Sequence, residues 1–384
     1  MIGHLVGLPT LKSILVQLNS SSNAAQINYT KLCNKLTINT IRVIFESVFE
    51  YQVGNELKKM ASKDSSVWSK VAVTAVLDDS IFKQWLFEST RECDYFGSFF
   101  SGQYRSIVFG FKVVCFGLYI DDVFYPLYFD FVPNKSEKKE NKSIVVAKKL
   151  VQRWGKWVKK LKKEAVDLPK IHLSSDSGYS HTTLNDAADK NGLIYISVPK
   201  KNHLFTINGK KMKLSKHVEE EFLEREKQHQ AKQSKLKEAE KTAFTWRVKA
   251  YYASQKREVT LLFFRLKGSK KISVIYTNNK TIFSKTLRRN WFNRTHIEQF
   301  FKLLKHVLKI SEARTKNKNE LENKLLKFAS FAIEIQKMIR YIRKKCKCFS
   351  QKGAISLQRM LSQSQEIMTL LQNQFDITAS NSKN

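Results

Sequence analysis

The chain has 384 residues, 42% of them hydrophobic, enough for a catalytic domain with flanking pieces and too apolar for global disorder. Lys and Arg number 68 against 34 acids, and a formal charge of +34 points to a polyanionic partner, nucleic acid before an anionic membrane surface. Five scattered cysteines imply no disulfide framework and suit a reducing cytoplasm, Cys346 and Cys348 lack a second pair at zinc-ligand spacing, and no basic region leads into a hydrophobic run at the N-terminus.

Residues 1–65 read as a helical N-terminal domain, with apolar residues at helical spacing over 29–52. DNA binding and a plain cap on the next domain are equally open for it. Residues 66–200 read as the first part of a catalytic core. A β-rich run, Val71, Val73, Val76 and Leu77, ends in Asp78-Asp79. Residues 106–120 and 123–132 alternate as two strands joined at Asp121-Asp122, a hairpin signal. The charged residues inside this apolar stretch exclude a membrane span. A basic helix is expected over 134–168, with Trp154, Trp157, Val158 and Leu161 on its apolar side. A short strand over 170–175 then ends in Asp176, and a helix over 182–191 and a strand over 192–200 follow.

Antiparallel strands followed by alternating strand and helix predict an α/β mixed sheet covered by helices. Residues 201–290 read as an insertion, a charged helix over 214–242 and then strands over 243–278. Residues 291–310 form the last core helix. Residues 311–384 are a basic helical C-terminal region with a Ser/Asn-rich tail expected to be disordered.

The last core helix carries Arg294, Glu298 and Lys305 beside its apolar face, at steps of four and seven that return to one side. The plain structural reading makes Thr295 and Glu298 a capping box. The functional reading joins Glu298 to Asp79 and Asp176 as three acids at one edge of the sheet. Converging carboxylates are costly without a cation, and a divalent pair suits phosphodiester displacement.

Trp291-x2-Arg294-x3-Glu298-x6-Lys305 resembles the Y-x2-R-x3-E-x6-K signature of bacterial cut-and-paste DDE transposases of the insertion-sequence-four group, with Trp in place of Tyr. "LDDS" resembles that family's first-aspartate motif, which assigns Asp79 rather than Asp78, and "SSDSGYS" resembles the second, which assigns Asp176. The resemblance spans roughly residues 70–310. It implies an RNase H-like core with a β-rich insertion before the last catalytic helix, and Asp79, Asp176 and Glu298 as catalytic metal ligands. It implies two Mg²⁺ ions, replaceable by Mn²⁺, cleavage at transposon ends, a hairpin intermediate and strand transfer. It further implies a homodimer on paired double-stranded DNA ends and target, in the bacterial cytoplasm at the nucleoid, with no membrane partner. Arg294, Lys305 and Trp291 would bind DNA. Trp246, the insertion's tryptophan, is a candidate for the base-stacking role such a residue has in that family, beside the reading of a strand tryptophan as core. A transposase relative without cleavage and an RNase H-like nuclease without strand transfer are the competing expectations.

Overall fold

A computed structural model describes residues 38–61, 73–83, 95–102, 104–134, 141–164, 168, 171–200, 202–214, 216–233, 244–266, 269, 271–307, 310 and 318–345. Most of the expected N-terminal domain and the C-terminal tail lie outside these residues. In chain order the elements begin with α1 (Ile38–Ala61), β1 (Val73–Lys83), β2 (Phe96–Ser101), β3 (Ser106–Ile120), β4 (Val123–Phe131) and α2 (Lys142–Lys163). There follow β5 (Ile171–Ser175), a 3-10 turn (Ser177–Tyr179), α3 (Thr182–Lys190), β6 (Leu193–Ser197), β7 (Leu204–Ile207), β8 (Lys210–Lys213) and α4 (Lys216–Gln233). The last are β9 (Thr245–Tyr252), β10 (Arg257–Arg265), β11 (Ile272–Thr277), α5 (Ser284–Phe292), α6 (Thr295–Lys302), a π-helical turn (Leu303–Val307) and α7 (Lys318–Lys345).

The run that ends in two aspartates becomes the centre of the sheet. β1 pairs antiparallel with β3 and parallel with β5, and β5 pairs parallel with β6. β3 returns as β4 through Asp121-Asp122, both at positive φ (43° and 69°), the turn hand that matches strand twist and that aspartate tolerates. Pro126 sits in β4 beside a register shift at Phe116/Gly117, on a strand that among the described residues pairs only with β3. A proline's missing N–H is harmless at such an edge. The path β4-β3-β1-β5-β6, three antiparallel strands and then two parallel ones, is the mixed sheet of an RNase H-like fold.

The insertion does not stand apart from this sheet. β11 pairs antiparallel with β6, and β10, β9, β7 and β8 continue outward, so eleven strands form one sheet. The seam is narrow, with Tyr276 and Thr277 opposite Ser197 and Ile196. A buried polar cluster reinforces it. Tyr276 shares its hydroxyl with Ser180 Oγ (2.8 Å), Asn185 Nδ2 (3.1 Å) and Gln255 Nε2 (2.8 Å).

Helices cover both faces. α2 buries Trp154 against Phe116 of β3, with Trp157 edge-on beside it. α6 buries Phe300 against Phe124 and Phe129 of β4, and Phe301 against Phe82 of β1. α7 lies against β4 and α1. None of the described helices is long and apolar enough to cross a membrane.

His172 of β5 is held neutral inside this packing. Burial, then the nearby Arg289 charge, push its pKa down to about 4. Unfolding frees a histidine that titrates near 6.5, so the unfolded state binds the extra proton first as pH falls. Stability is expected to be intact above pH 6.5 and to fall by up to about 1.4 kcal/mol per pH unit between 6.5 and 4 from this residue. Urea melts of wild type and His172→Asn across that range check this, and the variant should lose part of the acid sensitivity.

Candidate active site

Strand alternation sorts the two aspartates of β1. Thr74, Asp78 and Phe82 project from one face, and that face meets α5 and α6: Asn293 Nδ2 donates to Thr74 Oγ1 at 2.9 Å, Arg294 reaches Asp78 at 3.5 Å, and Phe301 packs on Phe82. Asp79 points the other way. Its carboxylate pairs with Lys112 of β3 at 3.0 Å and accepts the Tyr179 hydroxyl at 2.6 Å.

Parallel pairing of β1 with β5 sets Leu77 opposite Ser175. Asp78 and Asp176 therefore follow at one level on neighbouring strands, about 5 Å apart by ordinary strand spacing. The Asp176 carboxylate accepts the Ser177 backbone N–H at 2.6 Å, capping the 3-10 turn, and Ser197 Oγ donates to its carbonyl at 3.0 Å. Its side chain stays exposed at the sheet edge.

Glu298 does not form a capping box. Arg294 already has helical φ and ψ at the start of α6 and makes no side-chain cap, because α5 and α6 are nearly continuous. Glu298 instead takes the Arg294 guanidinium at 2.6 Å, and the same nitrogen, Nη1, faces Asp78. Arg294 thus bridges the β1 acid and the helix acid from an inward position.

The electrostatics show an excess of negative charge in a confined place. Burial pushes Asp78 up to about 7, the Asp79 charge adds to this, and Arg294 and the Asp79 backbone N–H work against it. Asp176 adds a smaller push in the same direction. Lys305 lies in the π-helical turn with its ammonium 5.4 Å from the centre of the Phe82 ring. Burial lowers its pKa to about 8, with the Asp79 and Asp78 charges opposing. Such π-helical turns frequently occur at functional sites.

A hard divalent cation fits this donor set, which is all carboxylate oxygen, partly buried and crowded enough to hold one acid partly protonated. The acids do not yet form a closed cage. Among the described residues no three His, Cys, Asp or Glu side chains come together as ready ligands, since Glu298 is turned to Arg294.

The two tryptophans are placed by packing. Trp246 of β9 is buried, with its ring stacked on Phe263 (4.7 Å) and the Arg225 guanidinium 5.1 Å from its centre. Trp291 packs edge-on against Phe264 and Phe292. Sequence reasoning missed Tyr179, the residue that ties the turn after Asp176 to Asp79. Its signal was its place three residues beyond an acid that ends a strand. Tyr179→Phe is expected to lower metal-dependent cleavage by no more than about tenfold, since its hydroxyl reaches the site through Asp79, while DNA affinity holds. Single-turnover nicking beside a gel shift checks this.

The mixed sheet is RNase H-like, Asp78 and Asp176 stand level on its neighbouring strands β1 and β5, and Glu298 lies on the helix packed against β1, joined to Asp78 through Arg294. Residues 151–331 match the family model described as the transposase DDE domain. This match supports a DDE transposase. It runs from within α2 into α7, so it takes in Asp176, Arg294, Glu298 and Lys305 and leaves β1 outside. No curated protein matches the sequence.

Proposed function

We propose that this protein is a DDE transposase of the insertion-sequence-four type. It would cleave at transposon ends and join the freed 3′-OH to target DNA, through a hairpin intermediate. The observation that carries this reading is the single guanidinium of Arg294 set between Asp78 and Glu298, with Asp176 level with Asp78 on the next strand.

Asp78, Asp176 and Glu298 would hold two Mg²⁺, or Mn²⁺ in their place. When bound, such ions activate the attacking oxygen and stabilise the leaving one. Asp79, the residue the motif singles out, lies on the far face of β1 and takes a supporting part through Lys112 and Tyr179. Arg294 orients the two acids that flank it, and with cations bound there its guanidinium would be available to a DNA phosphate. Lys305, beside Asp78 and Asp79, supplies a second positive group for the strand being cut. Trp291 acts through its packing on Phe264. The base-stacking role considered for Trp246 requires its ring to leave Phe263.

The partners in this reading are double-stranded DNA, at transposon ends and target, and a second copy of the chain on the paired ends, at a bacterial nucleoid. The +34 charge makes salt the first test of the DNA contact. Each phosphate neutralised is expected to steepen the log–log salt slope by about 0.9 on duplex DNA, so affinity should fall by orders of magnitude between low and physiological salt. A flat titration would remove DNA as the partner. The deciding assay is incubation of the purified protein with its element's end DNA and Mg²⁺, read on a denaturing gel. Nicks and a hairpin product are expected. Random degradation would favour a nuclease, and binding without nicks a non-cleaving relative.

A further inference from the structure

β3 is longer than the strand it pairs with. β1 ends at Lys83 opposite Gly110, where a Cβ would run into the Phe82 carbonyl, while β3 starts at Ser106. The β2–β3 hairpin therefore extends past β1 by roughly 13 Å of strand, at the end of the sheet that carries the acids. Its outer part exposes large apolar side chains where solvent would favour polar ones. Phe100 and Ile107 form a cross-strand pair, 69% and 71% exposed, and Tyr104 at the turn is 53% exposed. A cleft of about 240 Å³ runs from Asp79 and Lys112 to Phe100 and Tyr104, with Lys83 and Lys305 also in its walls. The Lys83 ammonium lies 5.5 Å from the centre of the Tyr104 ring, and Arg105 stands exposed at the turn with φ 50°.

Exposed aromatic rings interleaved with cations suit unpaired nucleotides, whose bases stack while the phosphates meet the lysines. A fully paired duplex hides its base faces and gains only the phosphate contacts. A second copy of this chain, itself carrying +34, would bring like charge to the same lysines. Trp246, covered by Phe263, does not offer a free ring face in this arrangement.

We infer that the β2–β3 hairpin is a stacking arm for unpaired nucleotides of the DNA, with Phe100 and Tyr104 as the platform and the cleft beneath it leading the strand toward Asp79. This deepens the transposase reading and rests on it, since that chemistry exposes unpaired nucleotides beside the cut.

Binding without metal separates the arm from catalysis. In EDTA, a fluorescein-labelled oligo(dT) and a duplex of the same length would be titrated with the full-length chain by anisotropy, and a 2-aminopurine in the single strand would report stacking. Phe100→Ala and Tyr104→Ala are each expected to weaken single-strand binding about tenfold, to change duplex binding less than about twofold, and to relieve 2-aminopurine quenching. Phe100→Trp should keep both signals. Both alanine positions are exposed, so thermal melting should match wild type.

Equal losses on single strand and duplex would overturn the inference, as would no loss on either. A shift from dimer to monomer in sedimentation with unchanged DNA binding would give the surface to a second copy instead. Wild-type nicking of end DNA in Mg²⁺ is scored separately. A chain that nicks while its alanine variants bind oligo(dT) normally loses the arm and keeps the enzyme. A chain that fails to nick but shows the selective loss keeps the arm and loses the enzyme.

Discussion

Glu298→Gln is expected to leave a folded protein that binds DNA and has lost metal-dependent cleavage by roughly two orders of magnitude or more, because the substitution removes the charge that a ligand must bring. The geometry makes the test clean. Glu298 caps nothing, its side chain is 41% exposed, and its partner is Arg294 one helical turn earlier. A helical i,i+4 pair contributes about 0.3–0.5 kcal/mol, and the inward Arg294 keeps Asp78 as a partner, so the melting temperature should barely move. DNA affinity should hold or rise, since one negative charge near the phosphates is gone and Arg294 is freed. Melting, gel shift and nicking would be measured on the same preparation. Wild-type nicking by Glu298→Gln would reduce this residue to a surface ion pair and remove the catalytic assignment with it.

The second large effect separates the adjacent aspartates. Asp78→Asn is expected to abolish cleavage to a similar degree while keeping or raising thermal stability in metal-free buffer, because a poorly solvated carboxylate becomes a neutral amide of the same shape. Asp79→Asn should lower cleavage about tenfold and cost some stability. The amide still accepts the Tyr179 hydroxyl but no longer balances Lys112. The reverse order, with Asp79→Asn the more severe for cleavage, would restore the ligand to the residue that the motif selects.

The choice between these two aspartates shows what the sequence could and could not carry. The two-residue turn at Asp121-Asp122 was legible because few residues tolerate two left-handed positions in succession. β5 and its terminal acid were legible because an apolar run stopped at Asp176, and β9, β10 and β11 were legible from their alternation. The face on which Asp78 falls was not. Period-two alternation says that Asp78 and Asp79 diverge, but only the docking of α6 decides which of them shares Arg294 with Glu298. The helix itself was drawn as one piece over 291–310. It is three: α5 ends at Phe292, α6 runs to Lys302, and a π-helical turn holds Lys305. A step of seven along an ideal helix therefore does not place Lys305, whose ammonium the π-helical turn sets over Phe82. β2 and the hairpin β7–β8 went unread because four to six residues of mixed polarity leave no period to detect. The insertion's strands were seen, but edge-to-edge pairing with β6 depends on Tyr276 and Thr277 finding Ser197 and Ile196, and no local pattern announces it.

The pairing of β1 with β5 and the bonds from α5 and α6 back to β1 also set an order in time. Asn293 and Thr74 are 219 residues apart, and Arg294 and Asp78 are 216 apart. Contacts of such separation form late, because the loop they close must first be ordered. A chain emerging from the ribosome exposes Asp78 and then Asp176 long before Glu298 has been synthesised. Until the segment after β11 docks, the two strand acids face solvent without their helix partner and without Arg294. Arg294 and Glu298 therefore join the two strand acids only after every described strand has been made, and a product truncated between the end of β11 and residue 294 carries the whole sheet and neither of these residues.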